Sequence, residues 1–255
     1  VAQAQTNLAF ILQKYYINHA NINKIIHYYT LAANNNEPNA QFNLGIIFYI
    51  GYYVSKNIYK GIDWITCASK NNLIRAHFAL GFINQEGEYL EQNIIKSIDY
   101  YKKASSFNYN YAKNNLGIIY KYGFGEKVPK NLLFAEIYFE EAIKQKNDMV
   151  SMYNLAHIYI YNDETEELIN KSINLLIKSS ELGFEQSTQL LCLILIKKHG
   201  INIDKIYKDI KSYTENADKF ISKFKQIISD QKLNFSNIFN TIYQNKKEID
   251  FLYNV

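Results

Sequence analysis

The feature that most limits what this chain can fold into is a repeat. Four stretches, Ala4-Gln-Thr-Asn-Leu8-Ala9, Ala40-Gln-Phe-Asn-Leu44-Gly45, Ala76-His-Phe-Ala-Leu80-Gly81 and Ala112-Lys-Asn-Asn-Leu116-Gly117, start 36 residues apart. A fifth unit starts at Ser151 with Leu155 and Ala156, and a sixth at Ser187 with Leu191 and Cys192. The one irregular step, 39 residues from Ala112 to Ser151, has a local origin in a longer loop, Gly125-Glu-Lys-Val128-Pro129, and a longer exit near Asn147. A fixed period of this length is the signature of stacked supersecondary units, each unable to bury its apolar faces alone.

Within a unit the pattern predicts two helices. The first places apolar or small residues at unit positions 1, 5, 8, 9 and 12, which in the second unit are Ala40, Leu44, Ile47, Phe48 and Gly51. Steps of three and four put them on one side of a 3.6-residue helix. Position 8 is isoleucine in all six units: Ile11, Ile47, Ile83, Ile119, Ile158 and Ile194. Position 6 is always small: Ala9, Gly45, Gly81, Gly117, Ala156 and Cys192. A mid-helix glycine costs about 1 kcal/mol against alanine, so a close helix crossing is expected there as compensation. Gly51, Gly87 and Gly123 suit left-handed helix stops. The second helix carries an aromatic and an alanine four residues apart, Trp64 and Ala68, Tyr100 and Ala104, Tyr138 and Ala142, expected to face the same way.

These residues resemble the Sel-1-like repeat family, a relative of the tetratricopeptide repeat. The fullest match is Ala112, Leu116, Gly117, Tyr120, Gly123, Gly125 and Val128, followed by Ala135, Tyr138, Phe139 and Ala142; unit two supplies Ala40, Leu44, Gly45, Phe48, Gly51, Val54, Trp64 and Ala68. The resemblance covers residues 4 to 216 and weakens at both ends. Unit one has Leu12 at the aromatic position and an unusual loop through His19, and unit six has Leu195 there with a weak second helix from Ile203 to Glu215. It implies an all-α fold, a right-handed α/α superhelical solenoid of about six two-helix repeats over residues 1–216. Residues 217–255 leave the pattern, yet Phe220, Ile221, Phe224, Ile227 and Ile228, then Phe235, Ile238, Phe239 and Ile242, keep helical spacing. They are expected to form a helical cap on the exposed end of the stack.

Composition agrees with such a fold. Two prolines and ten glycines in 255 residues favour long helices, and 48% hydrophobic with 20% charged residues allows a buried core. Asn, Tyr, Ile and Lys recur throughout, as in Asn34-Asn35-Asn36, and are read as a coding bias filling tolerant positions. A net charge of +4 without a dense basic tract argues against nucleic acid as a partner. The longest strictly apolar run, Leu190 to Ile196, is far short of the ~20 residues that span a bilayer, so no membrane insertion of this segment is expected. A first residue of Val1 rather than Met is read as the mark of a processed or excised segment.

The sequence offers no catalytic or metal-binding constellation. His19, His27, His77, His157 and His199 fall at different repeat positions and form no H-x-x-x-H or H-E-x-x-H pattern. Cys67 and Cys192 are expected as core thiols, since neither gains a nucleophile's histidine from the repeat. Gly123-Phe-Gly125 lacks the strand and G-K-[ST] context of a phosphate loop. Glu164, Glu166 and Glu167 are expected as a solvated acidic loop rather than a calcium site. Asn170-Lys-Ser172 and Asn234-Phe-Ser236 match the glycosylation acceptor pattern, a frequent coincidence in an Asn-rich chain. No catalytic residue, metal or cofactor is therefore assigned.

A solenoid binds through the surface its stacking leaves free, commonly a concave face built by first helices. Positions 3, 7 and 10, with position 11 in two units, give Phe42, Tyr49, Phe78, Phe82, Gln85, Asn114, Lys121, Tyr122, Tyr153, His157 and Tyr161 as the candidate partner-binding residues. Aromatic side chains there offer large contact area, and Asn or Gln can bond extended backbone. The competing expectation is that these aromatics pack between adjacent first helices. The resemblance implies a non-enzymatic adaptor or scaffold for a partner polypeptide, as in assembly, degradation at the endoplasmic reticulum membrane, activation or host interaction. A structural segment of a larger protein or complex is the alternative. A cell-wall or small-molecule enzyme ranks behind both, because the regular cysteine pairs of penicillin-binding relatives are absent.

Overall fold

The computed structural model describes residues 1–230 except 17, 18, 53, 89, 163, 164 and 201; the side chains of 19, 20, 146, 162 and 228–230 also lie outside the description. Thirteen helices follow one another among the described residues: α1 (Ala2–Tyr15), α2 (His19–Asn34), α3 (Pro38–Ile50), α4 (Ile58–Lys70), α5 (Ile74–Glu86), α6 (Ile94–Ser106), α7 (Asn110–Tyr122), α8 (Leu132–Lys146), α9 (Met149–Asn162), α10 (Glu166–Glu181), α11 (Glu185–His199), α12 (Ile203–Lys211) and α13 (Ala217–Asp230). The fold is all-α, a series of helix pairs. Each odd-numbered helix from α1 to α11 begins two residues before its repeat unit, so the irregular 39-residue step appears between α7 and α9.

Two kinds of seam hold the pairs. Inside a pair, the second helix lies over position 6 of the first. A Cβ added to Gly45 would sit 2.7 Å from Ile65 Cγ1, one on Gly81 2.6 Å from the Tyr101 ring, and one on Gly117 2.5 Å from the Phe139 ring. The expected close crossing is therefore present, and glycine is required by it. The residues sealed into this seam are Tyr29, Ile65, Tyr101, Phe139 and Leu176, each three residues before a buried small residue (Ala32, Ala68, Ala104, Ala142, Ser179). This corrects the expected four-residue pairing: Trp64, Tyr100 and Tyr138 are only half-buried. Because 3.6 residues make a turn, moving the register by one residue turns the aromatic about 100° away from the glycine.

Between pairs, positions 1, 5 and 8 of a first helix pack on the preceding second helix. Ala40, Leu44 and Ile47 share a cluster with Ile25, Tyr29, Ala32 and Ala33. Ala76, Leu80 and Ile83 share one with Ile65 and Ala68, and Leu155 and Ile158 share one with Ala135 and Phe139. Unit one departs from expectation: Leu8 and Ile11 are 41% and 45% exposed where Leu44 and Ile47 are 1%.

Asparagine marks the connections. Asn57, Asn93, Asn131 and Asn202 are N-caps of second helices, each accepting from the backbone N–H three residues on at 3.0 Å. Asn36, Asn72, Asn108 and Asn147 hold positive φ at the turns between units, where Gly183 serves the last. These asparagines therefore occupy positions with a defined backbone requirement, which the reading of a bias at tolerant positions does not cover. Gly51, Gly87 and Gly123 are left-handed as expected.

By compactness the chain divides into one unit of Val1–Leu116 with Gly123–Lys130 and another of Gly117–Tyr122 with Asn131 onward. In the second unit Phe220, Ile221 and Phe224 of α13 join the cluster that contains Leu176, Leu191, Leu195, Ile206 and Ile210. Phe235, Ile238, Phe239 and Ile242, the rest of the expected cap, lie outside the described residues.

Candidate partner-binding surface

In the first unit, Phe42, Tyr49, Phe78, Phe82 and Gln85 are half-buried and Asn114 is buried. Phe78 belongs to an aromatic group, with ring centroids 5.6 Å from Tyr101, 5.2 Å from Tyr109 and 6.3 Å from Tyr111. The Arg75 guanidinium lies 5.0 Å above the Phe42 ring and donates to Asn39 Oδ1. Burial raises the Tyr109 phenol above its ordinary pKa, and neighbouring Tyr111 adds to this. These contacts set half-buried aromatic rings beside one another and the Arg75 guanidinium over one of them.

In the second unit, Tyr122 is exposed, His157 and Tyr161 are half-buried, and Lys121 and Tyr153 are buried. His157 stands 4.3 Å from the Tyr161 ring and 6.3 Å from Tyr153. Burial holds the Tyr153 phenol well above the usual range, with nearby Tyr122 and Tyr161 adding to it. Lys121 Nζ donates to Asn154 Oδ1 at 3.0 Å and sits 4.9 Å from the Tyr122 ring. Of the eleven expected residues, Asn114, Lys121 and Tyr153 are thus walls rather than contact surface. The other eight keep reachable area.

Other candidate chemistry takes structural form. His77 Nδ1 and Ser69 Oγ are 2.8 Å apart, and burial, with Lys103 nearby, lowers the imidazole pKa. His199 Nε2 and Lys198 Nζ both meet Asp209 Oδ2, at 2.7 and 3.0 Å. Burial pushes the Cys192 thiol up to about 12, so little thiolate forms near neutral pH, while Cys67 is a free, half-buried thiol. Glu166 and Glu167 occupy the first turn of α10, and Glu167 pairs with Lys171 at 2.7 Å; Glu164 lies outside the described residues. Ser172 of the first acceptor pattern is buried and donates to Leu168 O, and the pattern at Asn234 lies outside the described residues. Among the described residues no three His, Cys, Asp or Glu side chains gather as a metal site, and no helix is long and apolar enough to cross a membrane.

Sequence reasoning missed a set of polar ties at position 2. Gln41 Nε2 donates to Ala33 O, His77 meets Ser69, and Thr188 meets Ser180, each reaching the residue eight earlier at the end of the preceding second helix. It also missed the link from a seam tyrosine to position 4: Asn43 Nδ2 donates to the Tyr29 hydroxyl and Asn115 Nδ2 to that of Tyr101. The available signal was that Asn43 and Asn115 stand two repeat periods, 72 residues, apart at the same unit position.

Comparison with known proteins agrees with this architecture. The Sel1 repeat family matches residues 38–73, 74–106, 110–147 and 150–184. No curated protein sequence matches the chain. Among solved structures, c5321, a protective antigen present in uropathogenic Escherichia coli strains and displaying an SLR fold, is similar with a TM-score of 0.71 at 20% identity, over 79% of this chain and 42% of that one. This chain thus spans less than half the length of that antigen. A Sel1 repeat protein from Oxalobacter formigenes is similar with a TM-score of 0.69 at 22% identity, over 86% of this chain and 88% of that one. Such proteins are typically non-enzymatic scaffolds for protein–protein interaction. With four matched repeats covering more than half its length, the chain belongs to the Sel1 repeat family.

Proposed function

We propose that the chain is a non-enzymatic adaptor that holds a partner polypeptide on the first-helix aromatics. One observation carries the reading: positions 1, 5 and 8 are sealed from unit two onward, while the large side chains Phe42, Tyr49, Phe78, Phe82, Tyr122, His157 and Tyr161 stay partly open. Water-facing aromatic area is costly to leave bare and contributes strongly to an interface once covered. α13, the described part of the expected cap, serves as a helical cap, a reading supported by the packing of Phe220, Ile221 and Phe224.

Site-specific photocrosslinking tests this. A photoreactive phenylalanine analogue placed at Phe82 or Tyr122 is expected to form protein adducts in the native cell. The same analogue at exposed second-helix sites, Asp99 or Lys102, is expected to form none. Equal adducts at all four sites, or none at Phe82 and Tyr122, would overturn the proposal.

A further inference from the structure

Arg75 is the one arginine in this sequence, where lysine fills the other strongly basic positions. It stands immediately before position 1 of its unit, as Asn39 and Tyr111 do in the units on either side. Arg75 and Tyr111 each reach back to the position-3 aromatic of the unit before. The Arg75 guanidinium lies 5.0 Å over the Phe42 ring, and the Tyr111 ring is 6.3 Å from that of Phe78. Arg75 Nη2 also donates to Asn39 Oδ1 at 3.1 Å. A planar guanidinium can stack on a ring and donate in its own plane at once, which the ammonium of a lysine cannot.

The charge placed there is not met by an acid of the chain. Among the described residues no carboxylate pairs with Arg75. Asn39 links it to Glu37 without contact between the two charges, since Asn39 Nδ2 donates to Glu37 Oε1 at 3.1 Å. Glu37 Oε2 accepts from the Ala40 N–H and the Thr6 hydroxyl, at 2.6 and 2.8 Å. Glu37 is thereby buried and engaged, while Arg75 is exposed. Asn39 holds one edge of the guanidinium, and its remaining N–H groups have no acceptor among the described residues. A side chain already placed in this way loses less freedom when an acceptor arrives. Burial raises the Tyr109 phenol and the Arg75 charge opposes that rise, so the cation lies within electrostatic reach of the rings around Phe78.

We infer that Arg75 is the acid-recognition point for the bound polypeptide, pairing with an Asp or Glu side chain whose apolar neighbours lie on Phe42 and on the rings of Phe78 and Tyr111. The inference rests on the reading that a polypeptide is held on the first-helix aromatics, and it adds the chemistry of that polypeptide. Charge complementarity selects the acid, and the planar fork suits a carboxylate that accepts two parallel bonds.

A phage-displayed random-peptide library, sorted on the full chain, tests this. The selected peptides are expected to carry Asp or Glu beside an aromatic or aliphatic residue. Synthetic copies should bind Arg75→Gln at least tenfold more weakly and Arg75→Lys several-fold more weakly, with Lys102→Gln unchanged. Replacing the peptide's acid by its amide should cost the parent chain the same factor and cost Arg75→Gln nothing. Arg75 is exposed, so its variants should keep their helicity by circular dichroism. Selected peptides without an acid, or an equal loss of acid and amide peptides in Arg75→Gln, would overturn this inference and leave the adaptor reading standing. A chain that selects no peptide and forms no photoadduct at Phe82 or Tyr122 would overturn both. A peptide bound at least tenfold more tightly with phosphoserine in place of its acid would overturn the carboxylate in favour of a phosphorylated partner.

Discussion

α1 and α3 are built on one plan and live in different surroundings. Both carry Ala, Leu and Ile at positions 1, 5 and 8, and both lie against their own second helix through a small residue, Ala9 or Gly45, that is fully sealed. Among the described residues α3 follows another helix, α2, and its stripe is buried against it, whereas Leu8 and Ile11 on α1 are exposed. In a repeat fold the neighbour, not the helix's own composition, decides whether an apolar stripe becomes core. The seam inside a pair is common to every unit, whereas the seam between pairs depends on position in the series.

The largest expected effect attacks the common seam. Gly45→Val puts a branched side chain where even a Cβ would stand 2.7 Å from Ile65 and 2.9 Å from the Gly61 carbonyl. It should cost about 3 kcal/mol, read as a lower urea midpoint, and Ala9→Leu should fall in the same direction. A harmless Ala9→Leu would show that α1 lacks the tight seam of α3.

Capping comes next. Asn93→Ala removes the side-chain acceptor of the Lys96 N–H and should cost about 1 kcal/mol in thermal unfolding. Asn57→Ala should match it, because the two sites are the same place in successive units.

A smaller effect concerns the seam hydroxyl. Tyr101→Phe leaves Asn115 Nδ2 without its acceptor and should cost about 1 kcal/mol. At the corresponding place in the next unit the residue is Phe139, and Asn154 Nδ2 is buried without a partner among the described residues. Phe139→Tyr should therefore be neutral or stabilising, and a loss comparable to Tyr101→Phe would refute the equivalence of the two seams.

The mildest effect is a pH slope. Burial alone would raise the Glu37 pKa, but the carboxylate caps α3 by accepting from Ala40 N–H, Thr6 Oγ1 and Asn39 Nδ2, and these bonds lower it. The folded value lies below the unfolded one near 4.5, so its contribution is full above that pH and is lost as pH falls through the folded value. His77, lowered by burial and by Lys103, adds the same sign earlier, from about pH 6.5 downward. Glu37→Gln should flatten the acid limb of a melting-temperature profile, and His77→Gln the limb nearer neutrality.

The pair architecture was legible because a helix face repeats every 3.6 residues and a unit every 36, so Ile47, Ile83 and Ile119 announce each other. The glycine crossings were legible for the same reason. The bare stripe of α1 was not, since Leu8 and Leu44 are identical as sequence and differ only in what lies beside them. The aromatic register slipped because adjacent residues Tyr100 and Tyr101 are both aromatic, and only the glycine contact distinguishes them. Of the expected partner-binding residues, Asn114, Lys121 and Tyr153 turned inward, where Asn154 and Phe184 meet the latter two. Positions 3 and 10 sit at the margin of the buried arc, and the size of the neighbour decides their exposure.

The most direct test is a matched pair of truncations, Leu8→Ala and Leu44→Ala, each measured by urea unfolding of the full chain. Leu44→Ala should cost about 2–5 kcal/mol, as a sealed leucine does, and Leu8→Ala less than about 1 kcal/mol. Equal losses would contradict the account, showing that the α1 stripe is already core.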